Sequence, residues 1–208
     1  IDTAYAREKG ITVCNAGSYS TSAVAQQVFA YILNHASKVA DYDRDVKDGA
    51  WIRSRLFCFF SRPTEELAGK TLGIFGYGAI GKRVAAIAKA FEMRVIVTTR
   101  TPQIDESVEF VDFDTLLRES DYLSVNCPLN ESTKKKFNSD AFSKMKKGAY
   151  FINTARGGVI VEQDLVDALK SGHLSGAAVD VLTVEPMRAD CPLINAPNIT
   201  FTPHVAWA

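Results

Sequence analysis

From about residue 70 onward, short apolar runs alternate with segments of helical periodicity, and this alternation limits the folds open to the chain. The apolar runs predict strands at residues 71–75, 94–98, 122–125, 149–153, 176–181 and 199–201. The helical patterns between them lie at residues 80–91, 114–119, 139–144 and 162–171. Strands that alternate with helices pair in parallel through right-handed crossovers, so the sequence predicts an α/β fold with a doubly wound parallel sheet. Nearly continuous apolar strands are typical of a sheet covered by helices on both faces.

The N-terminal part of the chain is organised differently. Residues 11–14 predict a short strand, and apolar residues at helical spacing predict one long helix over residues 22–46. The aromatic-rich residues 51–63 predict a packed connecting loop. We therefore expect residues 1–66 to supply a crossover strand, a long helix and a connecting loop, and residues 67–208 to form the core of the domain.

Charge and cysteine content exclude several classes of protein. The 24 basic and 24 acidic residues cancel, so no net field attracts nucleic acid or an anionic membrane surface, and we interpret the lysines at 134–136 as solvated. No apolar run reaches the roughly 18 residues of a transmembrane helix. The isolated residues Cys14, Cys58, Cys127 and Cys191 predict neither a metal site nor a disulfide framework. Isolated thiols fit a reducing compartment, and we expect a cytoplasmic protein.

The string Gly76-Tyr77-Gly78-Ala79-Ile80-Gly81 follows the first predicted strand of the core and opens the first predicted helix. This is the context of a dinucleotide-binding turn, in which glycines permit a tight turn and a close approach of the backbone to a pyrophosphate. Free N–H groups at the start of the helix then face the phosphate charge. The sequence therefore predicts a Rossmann-type fold in which residues 1–208 form a dinucleotide-binding domain.

The end of the second predicted strand bears on the choice of dinucleotide. An acidic residue there would bind the ribose hydroxyls of NAD, but this chain has Thr99 and Arg100. Threonine and arginine can hydrogen-bond and charge-pair with a 2′-phosphate, so the sequence favours NADP(H) over NAD(H). Asp105 and Glu106 come too late in the chain to be the ribose-binding acid. The alternative is that Arg100 is only an exposed charge at a strand end.

Three later predicted strands each end next to a chemically capable side chain. Arg156 follows one strand beside two glycines, and His204 follows the last strand. Asp180 lies at the end of the strand between them and precedes Glu185. Because ligands of open α/β sheets bind at the carboxyl ends of the strands, we expect these side chains to converge on the dinucleotide cleft.

Taken together, these motifs resemble those of the D-isomer-specific 2-hydroxyacid dehydrogenases. The similarity covers essentially the whole chain and, within the family, is strongest to the glycerate dehydrogenase/hydroxypyruvate reductase group. The order and spacing of the motifs make the signal specific. The segments that carry the resemblance are residues 76–81, residues 153–158, Asp180, Glu185-Pro186 and residues 202–207.

The resemblance implies an NAD(P)-dependent enzyme that transfers a hydride between the cofactor and a small 2-oxo or D-2-hydroxy acid, with hydroxypyruvate/glycerate or glyoxylate favoured. It implies that Arg156 binds the substrate carboxylate and orients the reacting carbon toward the nicotinamide. His204 would be the acid/base, and Glu185 would hydrogen-bond its imidazole and stabilise the protonated form. We expect no metal site.

The same resemblance implies further contacts with the cofactor. Asp180 would bind on the nicotinamide side, and Arg156 and His204 would border the same part of the cleft. The remaining implied contacts are Asn126, Cys127, Pro128, Thr133, Thr154 and Ala155. Asn126 departs from the family pattern, in which many relatives carry a histidine, and Glu92 replaces a common glycine.

The family pattern also includes a separate substrate-binding domain, which is missing from this sequence, and we interpret the chain as a piece of a longer protein. The helix over residues 22–46 resembles the element through which these enzymes dimerise, so we expect a homodimer. The alternative is a helix that packs within one subunit. The expected small-molecule partner is the 2-oxo or 2-hydroxy acid, with no nucleic-acid or membrane partner.

Two other functions remain open. A redox-sensing corepressor of the same fold would bind the dinucleotide and could retain the catalytic residues, although the balanced charge disfavours it. A formate dehydrogenase-like enzyme would share the fold, but those enzymes carry a glutamine where Glu185 stands. Turnover of a 2-oxo acid by the full-length protein would separate these possibilities.

Overall fold

The computed structural model describes residues 1–101 and 103–208. Seven strands lie within these ranges: β1 Thr71–Phe75, β2 Arg94–Thr98, β3 Glu109–Phe110, β4 Tyr122–Val125, β5 Tyr150–Asn153, β6 Gly176–Val179 and β7 Ile199–Phe201. They form one parallel sheet in the order β3-β2-β1-β4-β5-β6-β7. The direction of winding reverses between β1 and β4, which confirms the predicted doubly wound, Rossmann-type sheet.

The same ranges contain seven α-helices: α1 Thr3–Glu8, α2 Thr21–Ser37, α3 Val39–Lys47, α4 Ala79–Ala90, α5 Phe113–Glu119, α6 Ser139–Lys144 and α7 Glu162–Lys170. The chain also has two short 3₁₀ segments in these ranges, at Gly157–Val159 and Pro192–Asn195. None of the helices in the described ranges has the length and apolar character needed to cross a membrane.

A separate hydrophobic core lies on each face of the sheet. On one face, α5, α6 and α7 bury residues such as Leu116, Phe142 and Leu165. On the other face, α2 and α4 bury residues such as Ile32 and Val84. Each of these side chains is nearly inaccessible to water, and burial of one such side chain contributes about 1.5–3 kcal/mol. The predicted cover of helices on both faces is confirmed.

The predicted single helix over residues 22–46 is wrong, because the chain bends at Lys38. This residue has a left-handed backbone conformation with φ 54°, and its N–H donates to the Asn34 carbonyl. The α2 helix before the bend buries one face in the core that it shares with α4, whereas α3 buries none of its side chains. The helical spacing of apolar residues continues through the bend, so the sequence pattern does not mark it.

The predicted strand at residues 11–14 is also wrong. These residues are exposed and have no regular secondary structure. A β-branched run becomes a strand only where a neighbour supplies partners for its backbone groups, and residues 11–14 pair with neither edge strand, β3 nor β7. The sequence did not predict β3, because two residues are too few to show a period.

Candidate cofactor and catalytic site

The candidate residues follow the carboxyl ends of parallel strands at one edge of the sheet. The strand β1 leads into Gly76, β4 into Asn126, β5 into Thr154, β6 into Asp180 and β7 into Thr202. Because the strands are parallel, these ends lie side by side. The topology therefore brings together motifs that lie far apart in the chain.

Close backbone contacts shape the glycine turn between β1 and α4. Gly76 has φ +101°, and a Cβ atom there would lie 2.8 Å from the Asn126 carbonyl oxygen. A Cβ atom at Gly81 would lie 2.2 Å from the Gly76 carbonyl oxygen, so only glycine lets α4 pack this closely. By contrast, a Cβ atom at Gly78 would meet nothing within 4 Å. The space above Gly78 is therefore open to a ligand at the start of the helix.

Two adjoining cavities run along this edge of the sheet. One of about 780 Å³ lies at the ends of β5, β6 and β7, and one of about 470 Å³ lies at the ends of β1 and β2. Both are lined by Asn126, Cys127 and Pro128, so they form one continuous cleft. The larger cavity is also lined by Ile80, Thr154, Ala155, Arg156, Asp180 and His204. The smaller cavity is also lined by Gly76, Tyr77, Gly78, Thr99, Arg100 and Thr133. Of the predicted cofactor residues, Ala79 and Gly81 line neither cavity.

Two buried polar atoms in the cleft have no hydrogen-bond partner within the described part of the chain. They are Oδ1 of Asn126 and the hydroxyl oxygen of Thr154. The Asn126 amide is held in place because its Nδ2 donates to the carbonyl and hydroxyl oxygens of Ser124 at 3.2 and 3.0 Å. Buried polar atoms in folded proteins are nearly always hydrogen-bonded, so an acceptor and a hydroxyl without a protein partner beside the cleft are groups whose hydrogen bonding a ligand could complete. An amide oxygen and a hydroxyl fit the polar groups of a dinucleotide.

His204 and Glu185 form a hydrogen-bonded pair beside the larger cavity. The Nδ1 atom of His204 lies 2.6 Å from Oε2 of Glu185, and the Leu182 N–H donates to Oε1 at 2.8 Å. The two side chains are 41% and 34% exposed, so neither is sealed in the protein interior. With Nδ1 held by Glu185, Nε2 is the ring nitrogen that remains for proton exchange with a ligand.

The surroundings of Glu185 keep its carboxyl group ionised. Partial burial alone would raise the pKa of Glu185. The hydrogen bonds from the Leu182 N–H and from His204, together with the positive charge of Arg156, outweigh burial and lower that pKa below its ordinary value. Glu185 is therefore an anion at neutral pH, which is the form that stabilises an imidazolium.

Arg156 stands on a turn that packs against the loop after β6. The buried side chain of Asn153 accepts from the Ala155 N–H and donates to the Arg156 carbonyl, both at 3.0 Å. A Cβ atom at Gly157 would lie 1.9 Å from the Leu182 carbonyl carbon, so the two loops are in direct backbone contact. One guanidinium N–H donates to the Ala155 carbonyl at 2.6 Å. Arginine carries five such donors, so several remain for a carboxylate in the larger cavity.

Asp180 holds the loop that carries His204. It is only 3% exposed, and its carboxylate accepts from the N–H groups of Val205 and Ala206 at 3.0 Å each. The Thr202 hydroxyl donates to the same carboxylate. Asp180 also lines the larger cavity, where the sequence predicts a contact with the cofactor.

A family model for the "D-isomer specific 2-hydroxyacid dehydrogenase, NAD binding domain" matches residues 29–206. The chain belongs to this family. The resemblance seen in the sequence motifs is therefore confirmed, as is a domain that binds a nicotinamide dinucleotide.

Two curated relatives show which branch of the family the chain is similar to. The hydroxypyruvate reductase of Blautia hydrogenotrophica is 40% identical over 211 residues, which is 100% of this chain and 66% of that protein. The glycerate dehydrogenase of Methylorubrum extorquens is 40% identical over 210 residues, with the same two coverages. The chain thus spans about two thirds of the length of these relatives. Their names agree with the group predicted from the motifs.

Solved structures in complex with either form of the cofactor resemble this dehydrogenase domain. An acyclic imino acid reductase in complex with NADPH and D-Arg has a TM-score of 0.87 and 34% identity, covering 100% of this chain and 65% of that one. An NAD-dependent formate dehydrogenase from Staphylococcus aureus in complex with NAD has a TM-score of 0.81 and 32% identity, covering 99% and 61%. The fold of the domain is therefore compatible with both dinucleotides.

At the β2 end of the cleft in this 2-hydroxyacid dehydrogenase domain, Thr99 and Arg100 line the smaller cavity. The Tyr77 hydroxyl donates to Asp105 at 2.7 Å. Hydrogen bonds from the Ser107 side chain and from Tyr77 lower the pKa of Asp105 to about 2. Asp105 is thus engaged by protein donors, and its exclusion as the ribose-binding acid stays a prediction.

Some residues of the cleft were not identified from the sequence. Lys136, interpreted above as solvated, lines the smaller cavity, and its Nζ lies 4.2 Å from the centroid of the Phe113 ring. Such a cation–π contact holds the ammonium group near the cavity. Tyr19 and Ser20, just before α2, line the larger cavity. None of these residues belongs to a motif, and the only signal for Lys136 is its position close after Thr133.

Proposed function

We propose that the full-length protein catalyses reversible hydride transfer between NADP(H) and a small 2-oxo acid or D-2-hydroxy acid, with hydroxypyruvate/glycerate or glyoxylate/glycolate preferred. The observation that carries the proposal is that Arg156 and His204 line one cavity, while Glu185 is hydrogen-bonded to His204. That cavity is continuous with the space above the glycine turn. A carboxylate-binding cation and an acid/base pair beside a dinucleotide site suit 2-oxo acid reduction.

Each of the three side chains has a separate task in this mechanism. A bound nicotinamide supplies or accepts the hydride. The guanidinium of Arg156 binds the substrate carboxylate with two parallel hydrogen bonds and so orients the 2-carbon. The Nε2–H of His204 donates a proton to the carbonyl oxygen during reduction and takes the hydroxyl proton back during oxidation. Glu185 accepts from Nδ1–H and stabilises the charged ring.

The preference for NADP(H) rests on the smaller cavity. It carries Arg100 and Lys136 together with the Thr99 hydroxyl, while the nearby carboxylate of Asp105 is bound by Tyr77. Two cations and a hydroxyl favour the additional phosphate of NADP(H). A free carboxylate here would repel that phosphate, but the carboxylate of Asp105 is already hydrogen-bonded by Tyr77.

The direct test is a spectrophotometric assay of the full-length protein with hydroxypyruvate, glyoxylate, pyruvate and formate, using NADH and NADPH separately. We expect the highest kcat/KM for hydroxypyruvate or glyoxylate with NADPH. A clear preference for NADH would contradict the role given to Thr99 and Arg100. Oxidation of formate without turnover of any 2-oxo acid would contradict the hydroxyacid proposal. Cofactor binding without turnover would instead support a dinucleotide-sensing role.

We also propose how these residues fit into the whole protein. Residues 1–208 would form the dinucleotide-binding domain, and a separate substrate-binding domain would close the larger cavity, in keeping with relatives about half as long again as this chain. The exposed apolar side chains of Leu33, Val39 and Val46 support a homodimer through residues 22–46. Four unpaired cysteines support a cytoplasmic location.

A further inference from the structure

A line of hydrogen bonds connects α2 to the buried carboxylate behind His204. The Tyr31 hydroxyl and the Thr202 hydroxyl are in hydrogen-bond contact, and Thr202 donates to Oδ1 of Asp180. Because Thr202 donates its only hydroxyl proton to Asp180, the Thr202 oxygen must accept a hydrogen bond from the Tyr31 hydroxyl. Hydrogen-bond donation therefore runs from Tyr31 to Thr202 and from Thr202 to Asp180.

Asp180, the last acceptor in this series of hydrogen bonds, also contacts the backbone around His204. The side chain of Asp180 accepts from the Val205 and Ala206 N–H groups, and its own carbonyl accepts from the His204 N–H at 2.8 Å. His204 has φ 56°, a left-handed conformation that is unfavourable for a residue with a side chain. Such a conformation persists only where surrounding contacts hold it. Three of the hydrogen bonds around it, from the N–H groups of His204, Val205 and Ala206, end on Asp180, and Trp207 adds one to the His204 carbonyl.

Tyr31 reaches this site from outside the sheet. It lies on α2, it is only 3% exposed, and Thr202 lies 171 positions further along the chain. A phenylalanine would fill the same space, so packing alone does not explain the hydroxyl. A buried tyrosine hydroxyl needs a partner, and here the partner is a residue two positions before the proposed acid/base.

We propose that Tyr31 and Thr202 are positioning residues for His204. They complete the hydrogen bonding of the Asp180 carboxylate, which in turn fixes the left-handed turn and the position of Nε2 over the larger cavity. The inference rests on the proposed function, because positioning matters for turnover only if His204 exchanges a proton. Neither residue touches the substrate, so their loss should affect kcat more than KM.

The test uses the full-length protein with Tyr31→Phe, Thr202→Val and Thr202→Ser. Loss of one neutral hydrogen bond predicts that Tyr31→Phe lowers kcat about 3- to 10-fold. Thr202→Val also removes a donor to a carboxylate, so we expect about a 10- to 100-fold loss. Thr202→Ser keeps the hydroxyl and should restore most of the activity. KM for the 2-oxo acid and affinity for NADPH should change less than kcat in every variant.

Tyr42→Phe is the matched control, because the Tyr42 hydroxyl donates to the Arg62 carbonyl in a region remote from the cleft. It should leave kcat unchanged. Hydrogen exchange followed by mass spectrometry gives a second readout that does not depend on turnover. Peptides covering residues 202–206 should exchange about ten-fold faster in Thr202→Val than in wild type, with α4 unchanged.

The outcomes separate this inference from the proposed function. If the wild-type protein turns over no 2-oxo acid, the proposed function fails, while faster exchange in residues 202–206 would still support the positioning role. An active wild type whose Thr202→Val variant keeps full kcat would overturn the inference. Equal losses in Thr202→Val and Thr202→Ser would also overturn it, because the hydroxyl would then be irrelevant.

Discussion

At the scale of single residues, two carboxylates next to His204 have different tasks because their surroundings differ. Glu185 is one-third exposed and contacts the imidazole directly at 2.6 Å. Asp180 is buried and contacts the backbone around the imidazole instead. Glu185 therefore stabilises the charged form of the imidazole, and Asp180 fixes the position of the imidazole.

Replacement of His204 tests the acid/base assignment. We expect His204→Asn in the full-length protein to lower kcat by about 10²- to 10⁴-fold, because the variant lacks the proposed proton donor. Affinity for NADPH, measured by fluorescence titration, should remain within a few-fold of wild type. His173→Asn is the control, since the His173 ring contacts the Met145 carbonyl away from the cleft. Unchanged kcat in His204→Asn would remove the basis for the mechanism.

The proposed preference for NADP(H) can be tested at a single side chain. Arg100→Ala should lower kcat/KM for NADPH about 10- to 100-fold, the range expected for one lost hydrogen bond to a charged group. The kcat/KM for NADH should change little, since NADH has no 2′-phosphate. Arg118→Ala, on the exposed surface of α5 where Arg118 pairs with Asp114, serves as the control. Equal losses with both cofactors would show that Arg100 does not distinguish them.

At the scale of elements, α2 contacts the sheet near both ends of the strands β5, β6 and β7. Near the carboxyl edge, Tyr31 contacts Thr202. Near the amino edge, the His35 ring stacks on Tyr150 with centroids 3.9 Å apart, and its Nε2 lies 3.1 Å from the Ser175 hydroxyl. The helix is thus fixed at two points one turn apart, which limits its rotation against the sheet.

His35 makes the attachment of α2 sensitive to acid. Burial first, and then the charge of Lys38, lower the pKa of His35 to about 4, although Glu65 opposes this. Between pH 6.5 and about 4 the unfolded chain binds a proton at this position and the folded chain does not. The free energy of unfolding should therefore fall with decreasing pH through this window, by at most about 1.4 kcal/mol per pH unit from this group.

Urea unfolding at pH 7, 5.5 and 4.5 measures this dependence. His35→Gln keeps a hydrogen-bonding group beside Ser175 but does not titrate, so its free energy of unfolding should depend less steeply on pH. An equal slope in wild type and His35→Gln would show that His35 is not responsible.

At the scale of the whole molecule, the sheet is covered on both faces, whereas the cleft and one apolar surface are exposed. Both faces of the sheet are covered by helices and buried side chains. The cleft at the carboxyl edge remains open, and α3 and the segment after it expose apolar residues such as Val39, Ile52 and Phe57. Open apolar surface of this kind is typical of a site that another domain or subunit covers.

The proposed dimer is tested by charge substitution on this surface. We expect the full-length wild type to be a dimer by light scattering and the Val39→Asp/Val46→Asp variant to be a monomer. Burial of two carboxylates at an apolar interface is unfavourable unless they are paired. A variant with Asp substituted for Ile104, which is fully exposed on the loop after β2, should remain a dimer. A monomeric wild type would contradict the proposal.

The features that depend on local pattern along the chain could be predicted without a structure. The periodicity of apolar residues placed six of the seven strands, and the glycine string placed the dinucleotide turn. The rule that ligands bind at strand ends then pointed to Arg156, Asp180, Glu185 and His204, because parallel order alone brings strand ends together. These features need only spacing along the chain.

The features that depend on neighbours in space could not be predicted from the pattern and follow from the folded chain. The bend at Lys38 separates α2, which packs against α4, from α3, which buries none of its side chains, and residues 11–14 form no strand because they pair with none of the described strands. The contact of Tyr31 with Thr202 joins residues 171 positions apart, and no periodicity records such a pairing. A side chain's role here follows from which partners the folded sheet brings within hydrogen-bond distance.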